Sequence, residues 1–138
     1  MATKKMLDLL NRAIAREMQV SIQYMWQHIL WKGVEGFVVK DQLRAIAIVE
    51  MQHAELVAER LAFFGGTPTT KPDPIFVGKT FKQMMKQDVR DEQVAIDLYK
   101  EIIAQADKEA DTTTKKLFET ILGEEEDHLD LFRGLLGK

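Results

Sequence analysis

The chain has 138 residues, a formal charge of −3, no cysteine and three prolines. Its length suits one domain with a real core, and the lack of cysteine excludes a disulfide framework, a thiolate metal site and a cysteine nucleophile. The near-balanced charge gives nucleic acid no electrostatic foothold, and no apolar run is long enough for a membrane span or a signal peptide, so a cytoplasmic protein with no membrane partner is expected.

From Thr3, an expected N-cap, the residues Leu10, Ile14, Glu17, Ser21, Tyr24, His28 and Trp31 recur in alternating steps of three and four. That period predicts a helix over about 4–33, ended by Gly33 and Gly36. A second helix, about 38–64, carries Leu43, Ile46, Glu50, His53, Val57 and Leu61 on one stripe. Its segment Ala45-Ile46-Ala47-Ile48-Val49 is apolar on every side and calls for cover on more than one face. Gly65-Gly66 stop this helix, and the stretch to Lys79, with Pro68, Pro72 and Pro74, has neither helical nor strand period. It is long enough to run back along a bundle.

Thr80 with Gln83 reads as a capping box for a third helix, about 81–109, whose stripe is Met85, Asp88 or Val89, Glu92, Ala95 or Ile96, Tyr99, Ile103 and Ala106. Asp111 marks a break and cap. The fourth helix, about 112–134, carries Leu117, Ile121, Glu125, His128 and Phe132. The expected fold is all-α: one domain, residues 1–138, forming a four-helix bundle with a single long crossover between the second and third helices.

Polar residues recur on these stripes in a fixed pattern. Glu50-x-x-His53 places a carboxylate and an imidazole on one helix face, and Glu125-x-x-His128 repeats it. Glu17 precedes Glu50 by 33 residues and Glu92 precedes Glu125 by 33, so the whole set returns at an offset of 75, as do Tyr24 and Tyr99. Four carboxylates on inward stripes are costly to bury unless something offsets their charge. Two divalent cations would balance them, and carboxylate with imidazole suits iron or manganese. One glutamate from each of two helices, with Glu-x-x-His from each of the other two, is the di-metal carboxylate pattern of four-helix bundles.

With Glu17, Gln23-Tyr24, Glu50-Met51-Gln52-His53, Glu92 and Glu125-Glu126-Asp127-His128, the chain from Leu10 to about Leu131 resembles the bacterioferritins, within the wider ferritin-like family. The resemblance implies a ferroxidase that oxidises Fe(II) with O2 or peroxide, for iron storage or detoxification. It implies two iron ions per subunit, with manganese or zinc as substitutes. Glu50 and Glu125 would bridge them, Glu17 with His53 would complete one site and Glu92 with His128 the other. It also implies a homodimer through the first two helices, extending in the family to a larger shell, with Met51 placed to ligate haem b at the dimer interface. Met51 reads equally as a methionine filling that interface. Tyr24 reads either as a partner to a ligand or as a core tyrosine, whereas Tyr99, His28, Trp26 and Trp31 read as packing residues.

Departures from the bacterioferritin pattern narrow the expectation. Ala45, Ile46 and Val49 stand where extra metal-binding side chains are common, and the sequence ends ten residues after His128, where larger cages have a short fifth helix. The rival reading is a rubrerythrin-like peroxidase, or another small di-iron or di-manganese oxidase without mineral storage. A third is a non-catalytic metal- or haem-binding dimer or DNA-protecting mini-ferritin.

Overall fold

The computed structural model describes residues 2–138; Met1, inside the expected domain, lies outside the described residues. Four helices make up the fold: α1 (Lys4–Leu30), α2 (Gly33–Phe63), α3 (Phe81–Lys108) and α4 (Thr112–Leu135). At 1.5 Å per residue they span about 36–47 Å. No strand occurs among the described residues.

Local chemistry sets most of the ends. The Met6 amide donates to Thr3 Oγ1 (3.2 Å) at the start of α1, and the Gln83 amide donates to Thr80 Oγ1 (3.2 Å) at the start of α3. Gln83 Oε1 reaches back to accept from the Lys79 amide (3.0 Å), one residue before the cap itself. Asp111 caps α4 by accepting from the Thr114 amide (3.1 Å), and it is also paired with Arg60 (2.9 Å) of α2. The α1–α2 turn is tighter than the two glycines suggest. Gly33, at φ +70°, makes the reversal alone, and Gly36 is buried in the first turn of α2, where a Cβ would lie 3.1 Å from that of Trp31.

α1 packs chiefly on α2, and α3 on α4; the two hairpins then meet mainly along α1 and α3. The apolar core has two parts. Leu10, Val57, Leu61, Tyr99, Ile102 and Phe118 fill one end, while Val20, Leu43, Met85 and Phe132 fill the other around Tyr24. Along every helix the Glu and Glu-x-x-His positions fall between these parts, so a polar layer is sandwiched between two apolar ones.

The crossover, residues 64–80, is fastened to α1 along much of its length. The Thr69 amide donates to Asn11 Oδ1 (2.8 Å), the Asp73 amide to Ala15 O (3.1 Å) and the Phe76 amide to Gln23 Oε1 (3.1 Å), and Gln27 Nε2 donates to Val77 O (2.9 Å). These anchors lie on one side of α1 and advance with it from residue 11 to residue 27. The strap therefore returns the chain to the end from which α3 departs antiparallel to α1.

Two substitutions probe this frame. Phe118 is fully buried and meets Tyr99 edge-on at 5.3 Å between ring centroids; Phe118→Ala should cost about 3–5 kcal/mol in a denaturant titration. Ala110, between α3 and α4, holds φ +55°. Ala110→Gly relieves that left-handed strain and should raise the denaturation midpoint by the equivalent of up to about 1 kcal/mol.

Candidate metal centre

The polar layer gathers all six side chains singled out by spacing. Glu17, Glu50, Glu92 and Glu125 are fully buried, and His53 and His128 nearly so. His53 Nδ1 lies 3.1 Å from Glu50 Oε1, 3.7 Å from Glu17 Oε2 and 3.8 Å from Glu125 Oε1. His128 Nδ1 lies 3.1 Å from Glu125 Oε1, 3.6 Å from Glu50 Oε1 and 3.7 Å from Glu92 Oε1. Two overlapping sets result, Glu17-Glu50-His53-Glu125 and Glu50-Glu92-Glu125-His128, each offering one ligand atom per residue with all four within 4.8 Å of one another. Glu50 and Glu125 belong to both.

The donor chemistry fits divalent cations. Glu17 Oε2, Glu50 Oε1, Glu92 Oε2 and His53 Nδ1 are buried without an aligned hydrogen bond. Buried polar atoms are normally satisfied, and several left unpaired in one layer are donors that a cation could use. Glu92 Oε2 does sit 3.2 Å from an arginine nitrogen, close enough for charge attraction without hydrogen-bond alignment.

The two tyrosines exchange partners across the bundle. Tyr24 of the first hairpin donates to Glu92 Oε1 (2.7 Å) of the second, and Tyr99 of the second donates to Glu17 Oε1 of the first. Tyr99, expected only to pack, thus holds a carboxylate as Tyr24 does.

Arg16 is the residue that spacing alone does not single out. It is 1 % exposed, and its guanidinium lies inside the carboxylate layer. Nη1 is 2.8 Å from Glu50 Oε2, 3.3 Å from Glu17 Oε1 and in close contact with Glu125 Oε2, while Nη2 is 3.2 Å from Glu92 Oε2 and donates to Asp91 O (3.3 Å). The signal is present in the sequence as a second stripe, Leu9, Ala13, Arg16, Val20, Gln23, Gln27, all of it buried.

The same stripe supports a second polar cluster beneath the strap. Gln23 Nε2 and Gln27 Nε2 donate to Asp88 Oδ1 at 3.1 and 2.8 Å, and Gln23 also donates to Asp91 Oδ2 at 2.7 Å. Burial pushes the Asp88 carboxyl well above the usual carboxylate range despite these bonds.

Met51 stands apart from the layer, 50 % exposed, beside an apolar hollow lined by Ile14, Met18, Ala54 and Ala58. Ile48 is also partly exposed, and Trp26 half-exposed. His28 Nδ1 is satisfied at Lys40 O (2.6 Å), well away from the six. No helix among the described residues is long and apolar enough to cross a membrane.

Burial raises the Glu50 carboxyl well above its usual range, with repulsion from Glu125, Glu17 and Glu92 adding to the effect and Arg16 opposing it. Both imidazoles move the same way. Burial disfavours their charge, but Glu17 and Glu125 overcome it for His53, raised to about 9, and Glu125 and Glu92 for His128, raised to about 10.

Comparison with known proteins agrees with this fold. Residues 7–138 match the family model described as a ferritin-like domain. The chain is similar to the bacterioferritin of Desulfovibrio desulfuricans, 33% identical over 132 residues that cover 95% of this chain and 74% of that protein. It is also similar to the bacterioferritins of Brucella melitensis (32%) and Rhodobacter capsulatus (30%), each over 91% of this chain and 79% of the relative.

The proton-binding groups give the metal-free protein a definite pH response. Glu50, His53 and His128 all hold protons more tightly folded than unfolded; the contribution of Glu50 to stability is full below its unfolded value of 4.5 and declines above it, and that of the two histidines is full below 6.5 and declines as pH rises toward 9 and 10. After chelator treatment, Tm by circular dichroism should therefore fall steadily from pH 6.5 to about 9. With Zn(II) bound the fall should flatten, because the cation takes the place of those protons.

Proposed function

This chain belongs to the ferritin-like family and is bacterioferritin-like, and from that premise we propose that it is a ferroxidase, oxidising Fe(II) with O2 or peroxide at a two-iron centre within one subunit. The observation that carries this reading is the pair of overlapping ligand sets joined through Glu50 and Glu125. In it, Glu50 and Glu125, common to both sets, would be shared between the two ions, Glu17 and His53 would complete one position, and Glu92 and His128 the other. Manganese or zinc, which accept the same donors, would substitute. When bound, the paired ions supply chemistry that one ion cannot: two Fe(II) become two Fe(III), and the two electrons with two protons convert O2 to hydrogen peroxide.

The chain's own residues prepare that exchange. Carboxylates favour the higher charge of Fe(III), so four of them in one layer make electron loss easier. The hydroxyls of Tyr24 and Tyr99 fix the orientation of Glu92 and Glu17, the two outer carboxylates. Protons held on His53 and His128 must leave as cations enter, which couples uptake to pH. The apolar layers above and below keep bulk water from the ligands.

The exposed apolar side chains of α1 and α2 support pairing of two subunits through that face and, from there, a larger shell that stores Fe(III). Met51 with Ile14, Met18, Ala54 and Ala58 offers the sulfur and apolar lining that haem b needs. Lacking cysteine, the fold has no use for an oxidising compartment, and we place it in the cytoplasm.

Metal-free protein mixed with Fe(II) in air should oxidise it well above the buffer rate, followed by the rise of Fe(III) absorbance. Glu50→Ala and His128→Ala should each return the rate to that of buffer; variants as fast as the parent would remove the reading. Met51→Ala should leave this rate unchanged and abolish any Soret band, which a packing role for the sulfur would not do.

A further inference from the structure

We propose that Arg16 is a tethered counter-cation that occupies the carboxylate layer in the metal-free protein and must withdraw toward Asp91 and Asp73 for two divalent cations to bind. The proposal deepens the ferroxidase reading and rests on it. One guanidinium touches all four glutamates, and its Nη1 lies against Glu50 Oε2, Glu125 Oε2 and Glu17 Oε1, while the other oxygens of the same three carboxylates face the imidazoles. Glu50 and Glu125 belong to both ligand sets, and serving two cations calls on both oxygens of each, so the guanidinium competes with metal for these carboxylates.

Charge leaves it no way to stay. Two divalent cations already match four carboxylates, and a guanidinium cannot shed its proton in a protein as an imidazole can. A fifth positive charge at 2.8–3.3 Å from oxygens of the same carboxylates would go unopposed in a buried site. Its seat is also imperfect, for Arg16 Nε is buried without a partner.

An exit lies on the same side of α1. Nη2 already donates to Asp91 O, and Asp91 carries a carboxylate at the edge of the bundle. Beyond it the strap crosses, bonded to α1 through the Asp73 amide and Ala15 O, next to Arg16 in sequence. Asp73 is exposed and feels the positive charges of Arg12 and Arg16. A short rotation of a long, flexible side chain thus exchanges four inner carboxylates for two outer ones.

The test is titration of chelator-treated protein with Co(II), read by calorimetry and by the visible absorption of bound cobalt, alongside Tm with and without the metal. Arg16→Gln should bind Co(II) about tenfold more tightly or better, a usual size for coupling between two sites. It should lower Tm only in the metal-free state, where the carboxylates lose their counter-charge. Asp73→Asn, which leaves every ligand in place, should weaken Co(II) binding severalfold with little change in metal-free Tm. If the parent takes up two Co(II) and Arg16→Gln binds no tighter, or Asp73→Asn binds as well as the parent, the counter-cation role is overturned while the metal site stands. If neither the parent nor Arg16→Gln takes up Co(II), the two-metal reading falls and this proposal with it.

Discussion

Everything in this bundle is arranged around the repulsion between four carboxylates shut away from water. Glu17, Glu50, Glu92 and Glu125 share one layer of a dry interior, where like charges are poorly screened. In the metal-free protein the burden is met by what the chain itself supplies: a guanidinium, imidazoles that hold their protons more tightly than usual, and hydroxyl donors from Tyr24 and Tyr99. Cations of higher charge could take over that duty, and the proposed function rests on exchanging one set of positive charges for another.

Placing this layer in mid-bundle has a structural logic. Long helices with apolar packing at both ends hold the ligand-bearing turns in register without asking the acidic layer to contribute stability. The cost of strained electrostatics is offset by Leu10, Leu61 and Phe118 on one side and Leu43, Met85 and Phe132 on the other. The strap along α1 then fixes how the second hairpin approaches the first, through Asn11, Gln23 and Gln27 rather than through apolar contact alone.

Much of this was legible in the sequence because helical spacing is a strong signal and the set occurs twice. Glu-x-x-His at matched offsets leaves few alternatives to a shared layer, and Gly65-Gly66 with three prolines marks the crossover. Arg16 was not legible, since an arginine beside a glutamate on a long helix ordinarily extends into solvent. Only its place in a stripe between Ala13 and Val20 distinguishes it, and that stripe matters only once the other three carboxylates are known to be within reach. The tyrosine partners were hidden for a related reason. Tyr24 is close to Glu17 in sequence, but its hydroxyl is carried along and across the bundle to Glu92, a relation that depends on how the hairpins dock.

The crossed tyrosines tie the chemistry to the integrity of the whole. Each hairpin lends a hydroxyl to the other, so the halves cannot part by even a small gap without severing both bonds and wetting the acidic layer at once. Loosening of one half is thereby felt by the other, since each hairpin's outer carboxylate leans on a hydroxyl that the opposite hairpin carries.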